Sequence, residues 1–173
     1  LQAWGLLAGI VASGLLRDFY QAGVLDSADV LVAQRLTALA REDERLALAV
    51  AFVVRAVRGG SECLDLATVA QQVGEPDLPW PDPQQWLAAV EASVLTGDPP
   101  VLHLDRADGV GLLYLDRYWI EESRVAADVL ALSAVRHGGS LLDIDRLFPS
   151  AYGEQRGATE VALSRALTVL TGG

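Results

Sequence analysis

Apolar residues near the start of the chain recur at helical spacing, and glycines or polar clusters separate the runs. Gly23 ends one run, Asp26 or Ser27 can cap the next, and Gly59 with Gly60 closes the last. The pattern predicts four helices, at Trp4–Val11, Leu15–Ala22, Ser27–Leu39 and Glu42–Arg58.

Two of these helices differ in how much of their surface is apolar. The third carries Val32, Leu36 and Leu39 at helical spacing, so we expect this face to be buried. The fourth is apolar nearly all round between Leu46 and Val54. That pattern is typical of a helix at the centre of a bundle.

The middle of the chain combines short helices with extended segments. Cys63–Gly74 predicts an extended piece that enters a small helix, and a proline-rich loop follows. The next helix has Asp82 as its cap and Pro83 at its first position, and should stop near Gly97. Val101–Asp105 and Val110–Leu115 flank an Asp-Gly pair and therefore predict a β-hairpin.

Helical patterns dominate the remainder of the chain. Asp116 can cap a long helix that runs to about Val135, and shorter helices are expected at Leu141–Phe148 and Gln155–Ala166. A β-branched run, Leu167–Thr171, then meets two glycines. The predicted fold class is mainly α, of the α+β type, with a small β-hairpin.

Composition removes several classes of function. The 23 acidic and 13 basic residues give a formal charge of −10, which opposes binding to duplex DNA. All basic side chains are Arg, so chemistry that needs a lysine amine is excluded. Cys63 is the single cysteine, which makes an internal disulfide impossible and the cytoplasm the expected compartment. The longest apolar run is too short for a bilayer, so no membrane role is expected.

The end of the chain has the pattern of an approach to a nucleotide. A helix, a short buried strand and Gly172-Gly173 can deliver the backbone to a glycine turn whose N–H groups hold phosphates. A strand that ends in glycines is also common in proteins that bind no nucleotide.

The wider sequence carries more information. Residues 155–173, QRGATEVALSRALTVLTGG, resemble the segment that leads into the Walker A loop of the RecD helicase family. Leu113–Trp119 with Glu122 and Arg124 resembles that family's hairpin-to-helix junction, and Leu142–Pro149 resembles its connecting helix. The resemblance implies that residues 116–173 are connecting helices plus the lead-in helix and first strand of a RecA-like motor domain, cut just before Walker A.

The resemblance also implies a function. Family members are alpha chains of exodeoxyribonuclease V, ATP-dependent 5′-to-3′ DNA helicase subunits that act in recombinational repair of double-strand breaks. Residues 1–115 would be the region that docks onto a RecC-like gamma subunit, beside a RecB-like subunit. The intact protein would use ATP and Mg and bind DNA through its motor domains. The fragment itself would have no catalytic residue, cofactor or metal.

Four residues carry a ligand role by this resemblance. Gln155 lies where related helicases place a glutamine that reads adenine, and an amide matches the donor and acceptor of that base. Thr171, Gly172 and Gly173 would begin the phosphate cradle. Gln155 can equally be a capping or exposed residue.

A second interpretation concerns residues 65–110, where two short helices and a hairpin also fit a winged helix that acts as an independent DNA-binding regulator. The second of these helices, roughly Pro83 to Val94, has no Lys or Arg. A recognition helix needs base-reading donors and phosphate-binding cations, so the sequence favours docking to a protein.

Overall fold

The computed structural model describes residues 14–106, 110–137, 148 and 152–171, which fall into two compact units that divide between Ile120 and Glu121. The first unit contains, in chain order, α1 (Gly14–Gln21), α2 (Ser27–Ala40), α3 (Glu44–Arg58), β1 (Cys63–Asp65), α4 (Val69–Val73), α5 (Pro83–Glu91), a 3₁₀ turn (Val94–Thr96), β2 (Leu102–Asp105) and β3 (Leu112–Leu115). Helix α6 (Asp116–Ala134) follows β3 directly, and α7 (Gly153–Ser164) lies in the second unit.

The predicted class, mainly helical with a small antiparallel sheet, is confirmed. The predicted helix Trp4–Val11, the Asp108-Gly109 turn and all of Leu141–Phe148 except Phe148 lie outside the described residues. None of the helices in the described ranges combines the length and hydropathy needed to cross a bilayer.

Helix α3 is the centre of the first unit, as its pattern predicts. Every residue from Leu46 to Val54 is buried, because α1, α2, α5 and the sheet cover the helix on different sides. Its N-terminus is capped by Asp43, whose Oδ1 accepts from the N–H groups of Arg45 at 2.9 Å and Leu46 at 3.1 Å. An all-apolar helix is stable in water only when other elements enclose it in this way.

Aromatic rings extend this core. Phe19 and Phe52 lie 4.6 Å and 5.1 Å from Trp80, measured between ring centroids. Trp86 is 1% exposed and donates its Nε1 hydrogen to the carbonyl of Arg45 at 2.8 Å. Both tryptophans therefore anchor the core.

The predicted buried face of α2 is wrong for Val32 and Leu39 and is confirmed in part for Leu36, which is half-buried and packs against the core. The structure buries Val30, Ala33 and Thr37 against the core, whereas Val32 is 38% exposed and Leu39 is 70% exposed. Apolar residues occur on both sides of this helix, so spacing alone could not select the face. The small Ala33 and the acidic Asp29, which pairs with Arg58 of α3, instead determine which side packs.

The predicted hairpin is confirmed and gains a third strand. β2 and β3 pair antiparallel with Leu102 opposite Leu115, and β1 pairs antiparallel with β3 with Leu64 opposite Leu113. The strand order is β1-β3-β2, so β1 is an edge strand. The extended character of Cys63–Asp65 was predicted, but its partner was not.

Helix α5 ends earlier than predicted, at Glu91 rather than near Gly97. Ser93 adopts an extended backbone, and its hydroxyl donates to Glu42 Oε1 at 2.7 Å. The N–H of Val94 donates to the same oxygen at 2.9 Å. These two hydrogen bonds hold the backbone at Ser93 and Val94 in a conformation that cannot continue the helix.

In the second unit, α7 matches the predicted helix to within two residues, and the N–H of His137 donates to the carbonyl of Ser164 at 2.9 Å. The predicted strand after α7 is not confirmed. Residues 167–171 form neither helix nor strand, and Val169 and Leu170 are 77% and 72% exposed. A strand requires a partner backbone, and none pairs with this segment among the described residues.

Candidate partner-binding groove

A groove of about 740 Å³ lies in the first unit between the start of α2, the end of α3, β1 and α4. We call it the α3–β1 groove and define it by Asp26, Asp29, Arg55, Arg58, Cys63 and Asp65. Leu64, Val69, Val73 and Leu112 add apolar surface to its lining. The groove therefore offers both charged and apolar contacts.

The central contact of the groove joins α2 to α3. Arg58 Nη1 lies 2.8 Å from each carboxylate oxygen of Asp29, and Nη2 donates to Asp26 Oδ2. The hydrogen bonds to Asp29 and to Asp26 raise the pKa of the Arg58 guanidinium above its ordinary value. Asp29 also accepts the N–H of Asp26 at 2.8 Å, so one carboxylate both pairs with Arg58 and caps α2.

Sequence reasoning did not find this cluster, because its members are separated by 29 and 32 residues. The available signal was the position of the charges. Acidic residues lie at the start of α2 and arginines at the end of α3, where the helix dipoles favour each sign. That arrangement is ordinary at helix ends, so it could not identify the partners.

Arg55 differs from Arg58. It lies in the last turn of α3 and is exposed, and its side chain has no hydrogen bond or ion pair within the described part of the chain. Asp65 is occupied by its own loop, since it accepts from the N–H of Ala67 and the hydroxyl of Thr68, each at 2.9 Å. Arg55 is therefore the cation of the groove that is available to a ligand.

The strand side of the groove is formed by β1. As an edge strand, β1 has one side that faces away from β3. Cys63 carries a free, partly buried thiol and lies opposite Tyr114 of β3. Cys63, a lining residue of the groove, is the only cysteine of the 173-residue sequence.

The residues predicted to bind nucleotide lie in the second unit. Gln155 is exposed in the first turn of α7, where its carbonyl accepts from Thr159 Oγ1 at 2.8 Å. Thr171 is exposed after the helix, and no hydrogen bond joins it to Gln155 within residues 152–171. Gly172 and Gly173 lie outside the described residues. The nucleotide role of these four residues therefore stays a prediction.

Helix α5, the candidate recognition helix, has no exposed cation. The exposed positions of α5 are Pro83, Gln84, Gln85, Ala88 and Glu91. Arg106, at the end of β2, donates to Glu91 Oε2 at 3.0 Å. Arg106, which contacts this helix, is therefore already paired.

The two histidines have no metal-binding arrangement. His103 stacks on Trp119 with ring centroids 3.9 Å apart and planes 9° apart, and His137 is exposed. Within the described ranges, no group of three His, Cys, Asp or Glu side chains is placed to hold a metal ion.

Comparison with known proteins connects this fold to one family. Residues 21–103 match the family model described as RecBCD enzyme subunit RecD, N-terminal domain. RecBCD enzyme subunit RecD of Mycobacterium tuberculosis is 60% identical over 167 residues, which cover 95% of this chain and 28% of that protein. The Mycolicibacterium smegmatis subunit is 60% identical over 153 residues, 88% of this chain and 27% of the relative. The chain therefore spans little more than a quarter of the length of these relatives, and it belongs to the RecD family, whose N-terminal domain it contains.

Proposed function

We propose that this chain is the subunit-docking part of a RecD-type helicase subunit and that it binds the RecC-like gamma subunit of a RecBCD-type complex. The observation that carries the proposal is the 60% identity to subunits named RecBCD enzyme subunit RecD over 95% of the chain. The family's N-terminal domain, residues 21–103, falls within the first compact unit.

Surface chemistry supports docking to protein rather than to DNA. The formal charge is −10, and three arginines of the first unit, Arg45, Arg58 and Arg106, are already paired with carboxylates. Nucleic-acid binding requires clustered, available cations because each phosphate contact displaces a counterion. A protein interface needs no such cluster, and it tolerates local acidic charge.

The whole protein is proposed to be an ATP-dependent 5′-to-3′ DNA helicase subunit that acts in the cytoplasm in double-strand-break repair, beside RecB-like and RecC-like partners. Within it, Gln155 would contact adenine, and Thr171, Gly172 and Gly173 would begin the phosphate cradle that binds ATP with Mg. Residues 1–115 would dock, and residues 116–173 would begin the RecA-like motor domain. The exposed position of Gln155 leaves its amide available to a base.

One observation favours the alternative of a winged-helix DNA-binding regulator. α3, β1, α4, α5 and the β2-β3 hairpin follow one another in the order of a winged helix, and the sheet order is β1-β3-β2. The helix in the recognition position is α5, whose exposed residues include no cation. The order of elements thus supports a winged-helix form, whereas the absence of cations from α5 argues against DNA binding through this helix.

Co-purification tests the proposal. The 173-residue chain carrying an affinity tag is mixed with the RecC-like subunit encoded in the same genome, with the tagged full-length subunit as the positive control. We expect the chain to retain the RecC-like subunit, to hydrolyse no ATP and to produce no gel shift with duplex DNA. Retention by the full-length subunit alone would contradict docking by this chain. A tight, sequence-selective gel shift would favour the regulator.

A further inference from the structure

We propose that the α3–β1 groove receives an extended segment of the docking partner, which adds to β1 as a fourth strand and places one carboxylate on Arg55. The identity of the partner rests on the proposed function. The location and chemistry of the contact rest on the groove itself.

The edge of β1 provides the backbone part of the site. Alternate residues of an edge strand direct their N–H and C=O groups away from the sheet, and these groups form the template for strand addition. Residues Cys63–Asp65 form the strand, and all three line the groove. At about 3.3 Å per residue, this edge pairs with a segment of three or four residues, a span of about 10 Å.

Arg55 provides the charge selectivity. It is the arginine of the groove with no partner among the described residues, whereas Arg58 is shared between Asp26 and Asp29. A guanidinium binds a carboxylate through two parallel hydrogen bonds, which gives geometric as well as electrostatic preference. The incoming segment therefore needs an Asp or Glu at the position that faces α3.

The remaining lining selects a peptide over nucleic acid. Three aspartates, Asp26, Asp29 and Asp65, line the groove against two arginines, so a continuous phosphate backbone would meet net negative charge. Leu64, Val69 and Val73 also line the groove and suit an apolar side chain. One segment can therefore present both an apolar residue and an acidic residue to the groove.

Cys63 makes the site measurable without a mutation. Cys63 lines the groove and carries the only thiol of the chain, so its reaction with iodoacetamide reports access to β1. The rate of alkylation is measured by mass spectrometry for the free chain and for the chain saturated with the RecC-like subunit. We expect the bound chain to react at least about tenfold more slowly, because the added strand covers the thiol. A chain alkylated in advance with N-ethylmaleimide should fail to bind.

Charge reversal tests the second half of the proposal. Arg55→Glu should weaken binding to the RecC-like subunit by about tenfold or more, the equivalent of about 1.4 kcal/mol. Arg35→Glu is the matched control, since Arg35 is an exposed arginine of α2 that does not line the groove. Binding of this control should equal that of the wild type. Circular dichroism melting of each variant shows that the fold is retained.

The outcomes separate the two proposals. A complex that forms normally while Cys63 reacts at the free rate, and that tolerates Arg55→Glu, overturns the groove assignment and leaves docking intact. Failure of the unmodified chain to form any complex, while the full-length subunit does, overturns the docking function. Slow alkylation together with loss of binding in Arg55→Glu alone supports both.

Discussion

Arg58 Nη1 lies 2.8 Å from both carboxylate oxygens of Asp29, a contact between residues 29 positions apart that joins the end of α3 to the start of α2. The two side chains differ in exposure: that of Arg58 is 43% exposed, whereas that of Asp29 is 1% exposed. The buried member of the pair is thus the anion. An anion in this position depends on its partner more than the solvated cation does.

Replacement of Arg58 by Gln should destabilise the domain, because it leaves the Asp29 carboxylate buried with a backbone N–H as its remaining strong donor. Arg58→Lys should lie between the wild type and Arg58→Gln, since an ammonium keeps the charge but not the planar fork. Urea unfolding followed by circular dichroism gives the midpoints. Arg35→Gln, on the exposed side of α2, should leave the midpoint unchanged. Equal midpoints for Arg58→Gln and Arg35→Gln would contradict a structural role for the pair.

Helix α3 shows what sequence could predict. Residues Leu46 to Val54 are apolar on every side of the helix, which is more than one buried face requires. The pattern alone therefore predicted that this helix lies at the centre of the domain. Cap chemistry was equally local: the Asp82 carboxylate accepts the N–H of Gln85 at 3.0 Å, and Pro83 occupies the first turn. These features depend on neighbours along the chain, and that is why they were predictable.

Substitutions on the two sides of α2 test the corrected packing. Val30 is fully buried and Leu39 is 70% exposed. Val30→Ala should lower the free energy of unfolding by about 2 kcal/mol through lost burial and a residual cavity. Leu39→Ala should change it by less than about 0.5 kcal/mol. Chemical denaturation measures both values, and the opposite ranking would restore the face predicted from the sequence.

The α3–β1 groove shows why the candidate site could not be predicted. Its charges come from α2, α3 and the β1 loop, and their proximity depends on tertiary packing. The hydrogen bonds from Ser93 and Val94 to Glu42 are of the same kind, since they cross more than 50 residues and end α5 early. Gln155, in contrast, was selected by resemblance to a family rather than by geometry, and its nucleotide role stays a prediction.

Asp43 should contribute to the acid sensitivity of the domain. Burial by itself would raise the pKa of its carboxyl, but the hydrogen bond from Arg45 and those from the backbone N–H groups of Leu46 and Arg45 bring the pKa below the ordinary 3.8. A folded-state pKa below the unfolded value gives stability that is present above about pH 3.8 and is lost as the pH falls through the folded pKa.

Asp43→Asn keeps a capping oxygen without titration, so it should reduce the loss of stability in acid. Urea midpoints between about pH 5 and pH 2 measure this, with Asp77→Asn in an exposed loop as the control. An unchanged pH profile in Asp43→Asn would contradict the role of the cap.

Gly111 and Leu87 should be energetically coupled through one steric contact. A Cβ added at Gly111 would lie 2.7 Å from Leu87 Cδ1 and 3.2 Å from Cδ2, and the backbone of Gly111 is not left-handed. Gly111→Ala should therefore destabilise the domain by about 1 kcal/mol, because the Leu87 side chain must move away from the added methyl group. In a Leu87→Ala background the clash is gone, and the same substitution should become neutral or stabilising because alanine restricts the unfolded chain. A double-mutant cycle by urea unfolding measures the coupling.

Gly74→Ala is the matched control: its cost arises from a left-handed φ of 76° with open space around it, so Leu87→Ala should not relieve it. Additivity of Gly111→Ala and Leu87→Ala would show that packing between α5 and the start of β3 does not require a glycine.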